Sequence, residues 1–144
     1  MIIYLAADHR GFALKESLKG SLSGQGRAFH DCGAHAFDPE DDYPDFAKAG
    51  SERVLADPGS RGVFICGSGA GMAIAANRLP GIRAVTAQSV AEIQAARRDE
   101  DANVLCLGAD FVDETLAKAI MRAFIIAPAS PHARHVRRRA KLGS

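Results

Sequence analysis

Five short apolar runs divide the chain: IIYLAA (2–7), RAFHDC (27–32), GVFICG (62–67), IRAVTA (82–87) and NVLCLG (103–108). Each is partly β-branched or aromatic, and several end at glycine. The segments between them carry helical spacing instead. Phe12, Leu14, Leu18 and Leu22 mark one stripe in 10–24, and Phe46, Ala47, Val54 and Leu55 mark another in 44–56, with Gly50 on the same face. Ser89-Val90-Ala91-Glu92 reads as a capping box, with Ser89 as N-cap and Glu92 reaching back, opening a helix that runs to about Arg98. Residues 112–126 form a further helix with Leu116, Ile120, Ala123 and Phe124 inward, and a last helix is expected at about 130–141.

Strands alternating with helices build βαβ units and a parallel sheet. Continuous apolar runs suit strands covered on both faces, and the crossovers should be right-handed. The expected fold is α/β: a three-layer α/β/α arrangement on a five-stranded parallel sheet, with residues 129–144 as a basic tail helix. Hydrophobic residues make up 47% of the chain, enough for such a core. No apolar run approaches the roughly 20 residues that span a bilayer. The opening MIIYLAADH lacks a basic stretch and a small-residue cleavage site, so a cytoplasmic protein with no membrane partner is expected.

The net charge of +1 conceals an asymmetry. Five of the 18 basic residues lie in 133–144, and no acid lies beyond Glu114, so residues 1–133 carry 13 basic and 17 acidic side chains, a net of −4. An acidic body with a basic tail is a poor nucleic-acid binder, and the tail is free to hold an anion or dock on a body of opposite charge. The three cysteines are odd in number, widely spaced and without a CxxC pair, so neither a disulfide framework nor a metal site is expected.

Ligands of open parallel sheets sit beyond the carboxyl ends of the strands. That rule gathers Asp8 and His9 after the first run, Cys66 to Gly71 after the third, and Gly108 to Asp110 after the fifth. The stretch CGSGAG turns from strand to helix, and its glycines leave N–H groups exposed to an anion or to charge developing in a reaction. A tight turn with no ligand would need glycine as well. It is neither GxGxxG in dinucleotide spacing nor a P-loop. The thiol of Cys66 stands at its mouth, where it can act as a base, and the hydroxyl of Ser68 can donate or accept a proton. Asp8-His9 is an acid–base pair at a strand end. Arg134 and Arg138, four apart on one helical face, can clamp a phosphate or simply face solvent. The loop 33–43 is long and carries four acids.

The stretches AADHRGFALK, DCG, DDYPDFA, CGSGAGMAIAANRLPGIRA, DANVL and the RH of the tail together resemble the ribose-5-phosphate isomerase B and galactose-6-phosphate isomerase family over essentially the whole chain. The resemblance implies one Rossmann-like sugar-phosphate isomerase domain over 1–144, no metal or organic cofactor, and a homodimer or tetramer with shared active sites. It also implies aldose–ketose isomerisation of a sugar phosphate, ribose 5-phosphate to ribulose 5-phosphate, through an enediolate. Cys66 then matches the base, Ser68 the proton relay, and the amides of Gly67, Gly69, Ala70, Gly71 and Met72 the enediolate cradle. One subgroup carries a glutamate base at the position of Met72, which this chain lacks. Asp8, His9 and Tyr43 would contact the sugar, and Arg134 and Arg138 the phosphate.

Three acids depart from the family pattern. Asp99 and Glu100 stand where it has His-Asn, so Asp99 takes the place of the ring-opening acid and Glu100 lies beside the substrate. Asp110 replaces a phosphate-binding arginine. Unit charges about 4 Å apart interact by roughly 4 kcal/mol at an effective dielectric near 20, so these acids are expected to repel a phosphate dianion. Two alternatives follow: a diverged isomerase for an unphosphorylated sugar, or a non-catalytic partner subunit or sugar-binding module.

Overall fold

The computed structural model describes residues 1–143. The elements alternate as expected: β1 (Ile3–Ala7), α1 (Phe12–Gly24), β2 (Phe29–Asp31), α2 (Tyr43–Ala56), β3 (Arg61–Cys66), α3 (Ala70–Ala76), β4 (Ala84–Thr86), α4 (Val90–Glu100), β5 (Val104–Gly108), α5 (Glu114–Ile126) and α6 (Ala133–Lys141). All five strands are parallel, in the order β2-β1-β3-β5-β4. The chain leaves β1 toward β2 and returns to place β3 on the other flank of β1. The carboxyl ends of β1 and β3 therefore border the crevice where the winding reverses, the usual ligand position in such sheets.

Period-2 side-chain alternation splits the core in two. Ile3, Leu5, Val63, Ile65, Leu105 and Leu107 pack against Leu18 and Leu22 of α1, Ile93 of α4 and Ile120, Met121 and Phe124 of α5. Tyr4, Ala6, Phe64, Cys66, Val104 and Cys106 pack against Ala47 and Val54 of α2 and Met72 and Ala76 of α3. Each fully buried large aliphatic or aromatic side chain contributes about 1.5–3 kcal/mol. Cys66 thus belongs to the α2/α3 face.

Two helix details differ from the sequence reading. Ser89 does cap α4 by accepting the Glu92 N–H at 3.1 Å, but Glu92 reaches one residue further back, to the Gln88 N–H at 2.7 Å. Leu55, expected inward, is exposed at 39%, because α2 turns Ala47, Gly50, Ser51 and Val54 to the sheet. Asp113, which the spacing did not flag, caps α5 through the Leu116 N–H at 2.8 Å. Lys15 of α1 is fully buried, its ammonium held by Asp31 at 2.8 and 3.0 Å and by the Ala34 carbonyl. Among the described residues, no helix is long and apolar enough to cross a membrane.

Candidate active site

The register puts Cys66 beside Gly108 and Ile65 beside Ala7, so three strand ends converge. Backbone bonds lock the loops that follow. Asp8 N–H donates to the Ile65 carbonyl at 3.2 Å, Ala109 N–H to that of Cys66 at 2.9 Å, and Asp110 N–H to that of Gly67 at 3.0 Å. The chain then turns into α3 through Gly69, whose φ of 80° lies in the left-handed region that favours glycine.

That turn aims the Gly69 N–H at the Cys66 sulfur, with N···Sγ at 3.1 Å. The Ala70 N–H donates to Ser68 Oγ at 3.2 Å, which leaves the serine proton free to point at a substrate. The first bond inside α3 runs from Ala73 N–H to the Gly69 carbonyl, so the Gly71 and Met72 N–H groups have no acceptor within the helix. The sequence reading gave every amide of the loop to the enediolate. The folded loop divides them, engaging those of Gly69 and Ala70 with side chains. The other two thiols sit in different surroundings. Burial pushes half-buried Cys32 up to about 11, and it pushes fully buried Cys106 up as well.

The Asp8-His9 pair stands on the neighbouring strand end. Asp8 is buried and accepts the N–H groups of Arg10 at 3.0 Å and Gly11 at 3.1 Å. Asp41, from the acidic loop, holds His9 twice, accepting its backbone N–H at 2.9 Å and lying 2.7 Å from Nδ1. This hydrogen bond raises the His9 imidazole above its ordinary range, burial works against it, and the Asp8 charge adds to the rise. Asp8, His9 and Asp41 bring one ligand atom each within 4.8 Å of one another, the one group of metal-ligating type among the described residues. Tyr43, the first residue of α2, lays its ring on the glycine loop. A Cβ at Gly71 would stand 2.6 Å from ring carbons of Tyr43.

Two residues at this mouth escaped the sequence reading: Asp41 and Arg10. The Arg10 guanidinium lies on Gly67, in the space that a Cβ there would occupy, and it pairs with Asp110. Asp110 is therefore not a bare negative charge facing the substrate, as its place in the sequence suggested. An acid and a base 100 residues apart leave no local signal. Only the strand ends bring them together.

The remaining expected site residues lie elsewhere in the chain. Helices of a parallel α/β unit run back along the sheet, so α4 ends at the amino ends of the strands, opposite Cys66. Asp99 there is gripped by Arg98 at 2.7 and 3.0 Å, with His135 Nε2 3.7 Å away. The hydrogen bond from Arg98 holds the Asp99 carboxyl below its usual range. Within one chain Asp99 is thus an ionised partner of Arg98 at the end of the sheet opposite the thiol, so a role for it in ring opening calls for the thiol of a second copy. Glu100 lines a groove of about 620 Å³ with Asn77, Arg78, Arg83 and Leu142, again at the far end. Helix α6 packs against the end of α4, where Arg139 donates to the Arg98 and Asp99 carbonyls at 3.4 and 3.3 Å. Arg134 and Arg138 are exposed on it.

An α/β domain with a thiol and a hydroxyl on a glycine turn at its strand ends, and no nucleotide-binding loop, carries groups of the kind that proton transfer on a small polar substrate requires. Comparison narrows the class. The chain belongs to the ribose/galactose isomerase family, whose model matches residues 3–142. It is 42% identical over 138 residues to ribose-5-phosphate isomerase B of Mycolicibacterium paratuberculosis, covering 96% of this chain and 87% of the relative. The fold superposes on ribose 5-phosphate isomerase of Thermotoga maritima with a TM-score of 0.94 and 37% identity, covering 99% and 97% of the two chains. It also superposes on ribose-5-phosphate isomerase B of Mycoplasma genitalium with bound ribulose 5-phosphate, with a TM-score of 0.92 and 35% identity, covering 98% and 93%.

Proposed function

We propose that this aldose–ketose isomerase interconverts ribose 5-phosphate and ribulose 5-phosphate, with Cys66 as the base. The observation that carries the reading is the Cys66 sulfur at the carboxyl end of β3, accepting the Gly69 N–H at 3.1 Å beside the Ser68 hydroxyl. With the sugar in its open-chain form, the thiolate takes the proton from C2. The C–H electron pair becomes the C1–C2 double bond, and the carbonyl electrons move to O1. The enediolate charge then falls near the Gly71 and Met72 N–H groups, which the helix leaves without acceptors. Ser68 passes a proton between O2 and O1, and Cys66 returns its proton to C1. The reaction needs no external oxidant or reductant.

One chain supplies the thiol end alone. Glu100, Arg134 and Arg138 lie at the other end of the sheet, so we assign them to the site of a second copy in a homodimer. There the exposed arginines meet the phosphate.

The test is a panel of pentoses and hexoses, with and without a terminal phosphate, followed by hydrogen exchange at C2. Ribose 5-phosphate should exchange fastest. Cys66→Ala should slow it by about a hundred- to ten-thousand-fold, the range for loss of a general base, with an unchanged melting temperature. Turnover near the wild-type rate in Cys66→Ala removes the thiol from the chemistry. Faster exchange on an unphosphorylated sugar favours the diverged isomerase, and exchange on none favours the binding module.

A further inference from the structure

The mouth around Cys66 is rich in carboxylates. Asp8, Asp41 and Asp110 all border it, against the Arg10 guanidinium and the His9 imidazole. A doubly charged substrate entering here meets net repulsion unless a cation faces it.

Arg10 is built to be that cation. Its backbone is pinned by the bond from its N–H to Asp8 Oδ1 at 3.0 Å. Its guanidinium rests on the Cα of Gly67, the residue after the thiol, where any side chain would displace it. Asp110 is anchored in turn, its N–H donating to the Gly67 carbonyl at 3.0 Å. The two ends of the pair thus come from the loops after β1 and β5, and they meet over the loop after β3. Both are half exposed, at 53% and 47%, and such a pair is held weakly. A guanidinium has five N–H donors, and the contact with Asp110 is made through one terminal nitrogen, so the others can take a second oxyanion.

We propose that Arg10 binds the phosphate of the sugar phosphate at this mouth, and that Asp110 positions its guanidinium over Gly67 until substrate arrives. The proposal rests on the isomerase reading above and adds a specificity residue to it. It also gives Gly67 a reason beyond the turn: the guanidinium needs the absent side chain.

Arg10→Gln should raise KM for ribose 5-phosphate by about tenfold or more while kcat falls by less than about threefold, because a phosphate contact is made equally in the ground and transition states. The loss should be at least about tenfold larger for ribose 5-phosphate than for D-ribose, and Arg10→Lys should recover part of it. Gly67→Ala, which crowds the guanidinium, should reproduce the effect on KM, and Asp110→Asn, which frees the guanidinium from its place over Gly67, should raise KM by a smaller factor. A fall in kcat/KM that is the same for both sugars, or an unaltered KM, overturns the proposal. Calorimetric titration with inorganic phosphate separates this outcome from failure of the isomerase reading. Weaker phosphate binding by Arg10→Gln supports the site even if no sugar is turned over, and equal binding by both proteins sinks it even in an active enzyme.

Discussion

Replacing Asp31 by Asn should be among the most damaging single changes in this chain, although Asp31 touches no substrate. Burial opposes the charge of Asp31, but Lys15, Lys19 and the Gly33 N–H outweigh it and hold the carboxyl down to about 2. Its ordinary value is 3.8, and each unit of difference is worth about 1.4 kcal/mol, so the ionised carboxylate stabilises the fold by about 2 kcal/mol at neutral pH. Asparagine removes that charge and leaves the Lys15 ammonium, which has no exposure to water, with the Ala34 carbonyl and the more distant Glu16 carboxylate at 3.8 Å. Breaking one side of a buried pair costs about 3–5 kcal/mol, so the expected loss at pH 7 is about 3 kcal/mol. Because the folded value lies below the unfolded one, the stabilisation is present above pH 4 and disappears as pH falls toward 2. Urea denaturation of wild type and Asp31→Asn at pH 7 and pH 2.5 reads both statements. A difference below about 1 kcal/mol at pH 7, or one of the same size at both pH values, refutes the reasoning. The consequence reaches the site, because Ala7 and the 33–34 segment exchange backbone bonds at 2.8 Å just before Asp8.

Gly71→Ala should push the Tyr43 ring off the loop, raising KM with little change in melting temperature, since Tyr43 is 40% exposed and can swing away. Tyr43→Ala should suppress the effect of Gly71→Ala in a double-mutant cycle; two additive losses would mean that the ring is not what the alanine meets. Asp41→Asn should lower the pH at which His9 titrates, read by NMR of the imidazole, because the hydrogen bond that the imidazole donates to Asp41 is what raises it. The contribution of protonated His9 is complete below its unfolded value of 6.5 and fades as pH rises through the higher folded value, so Asp41→Asn should bring that loss to lower pH.

The sheet and its helices were legible because burial imposes periodicity on the sequence. Runs such as GVFICG and the Leu18–Leu22 spacing record which faces are covered, and the Ser89 cap follows from one hydroxyl and one N–H. The strand-end rule likewise places Asp8, Cys66 and Ser68 at the carboxyl end of the sheet, where β1 and β3 end side by side. Lys15 shows the limit, since a lysine on a helix reads as solvated until a carboxylate from β2 is seen above it. Arg10 and Asp110 show it again, as their meeting depends on loop directions after two different strands. Asp99 shows a third kind. A single chain places it at the end of α4, at the opposite end of the sheet from Cys66, and the sequence of one chain carries no sign of which copy's thiol it would face.

The glycine turn and the ring of charges around it differ in how freely they can be altered by mutation. At Gly67, Gly69 and Gly71 a side chain meets a guanidinium, a left-handed backbone and an aromatic ring in turn, so a substitution at Gly69 strains the backbone and one at Gly67 or Gly71 must displace a side chain of the site. Arg10 and Asp110 sit half exposed on loops and pair with each other, while Asp41 pairs with His9. A cation can migrate from one wall to the facing wall by two reciprocal substitutions, without disturbing the thiol. Changes of substrate preference in descendants of such a chain would therefore be written in the charged rim, while the turn behind it is inherited unaltered.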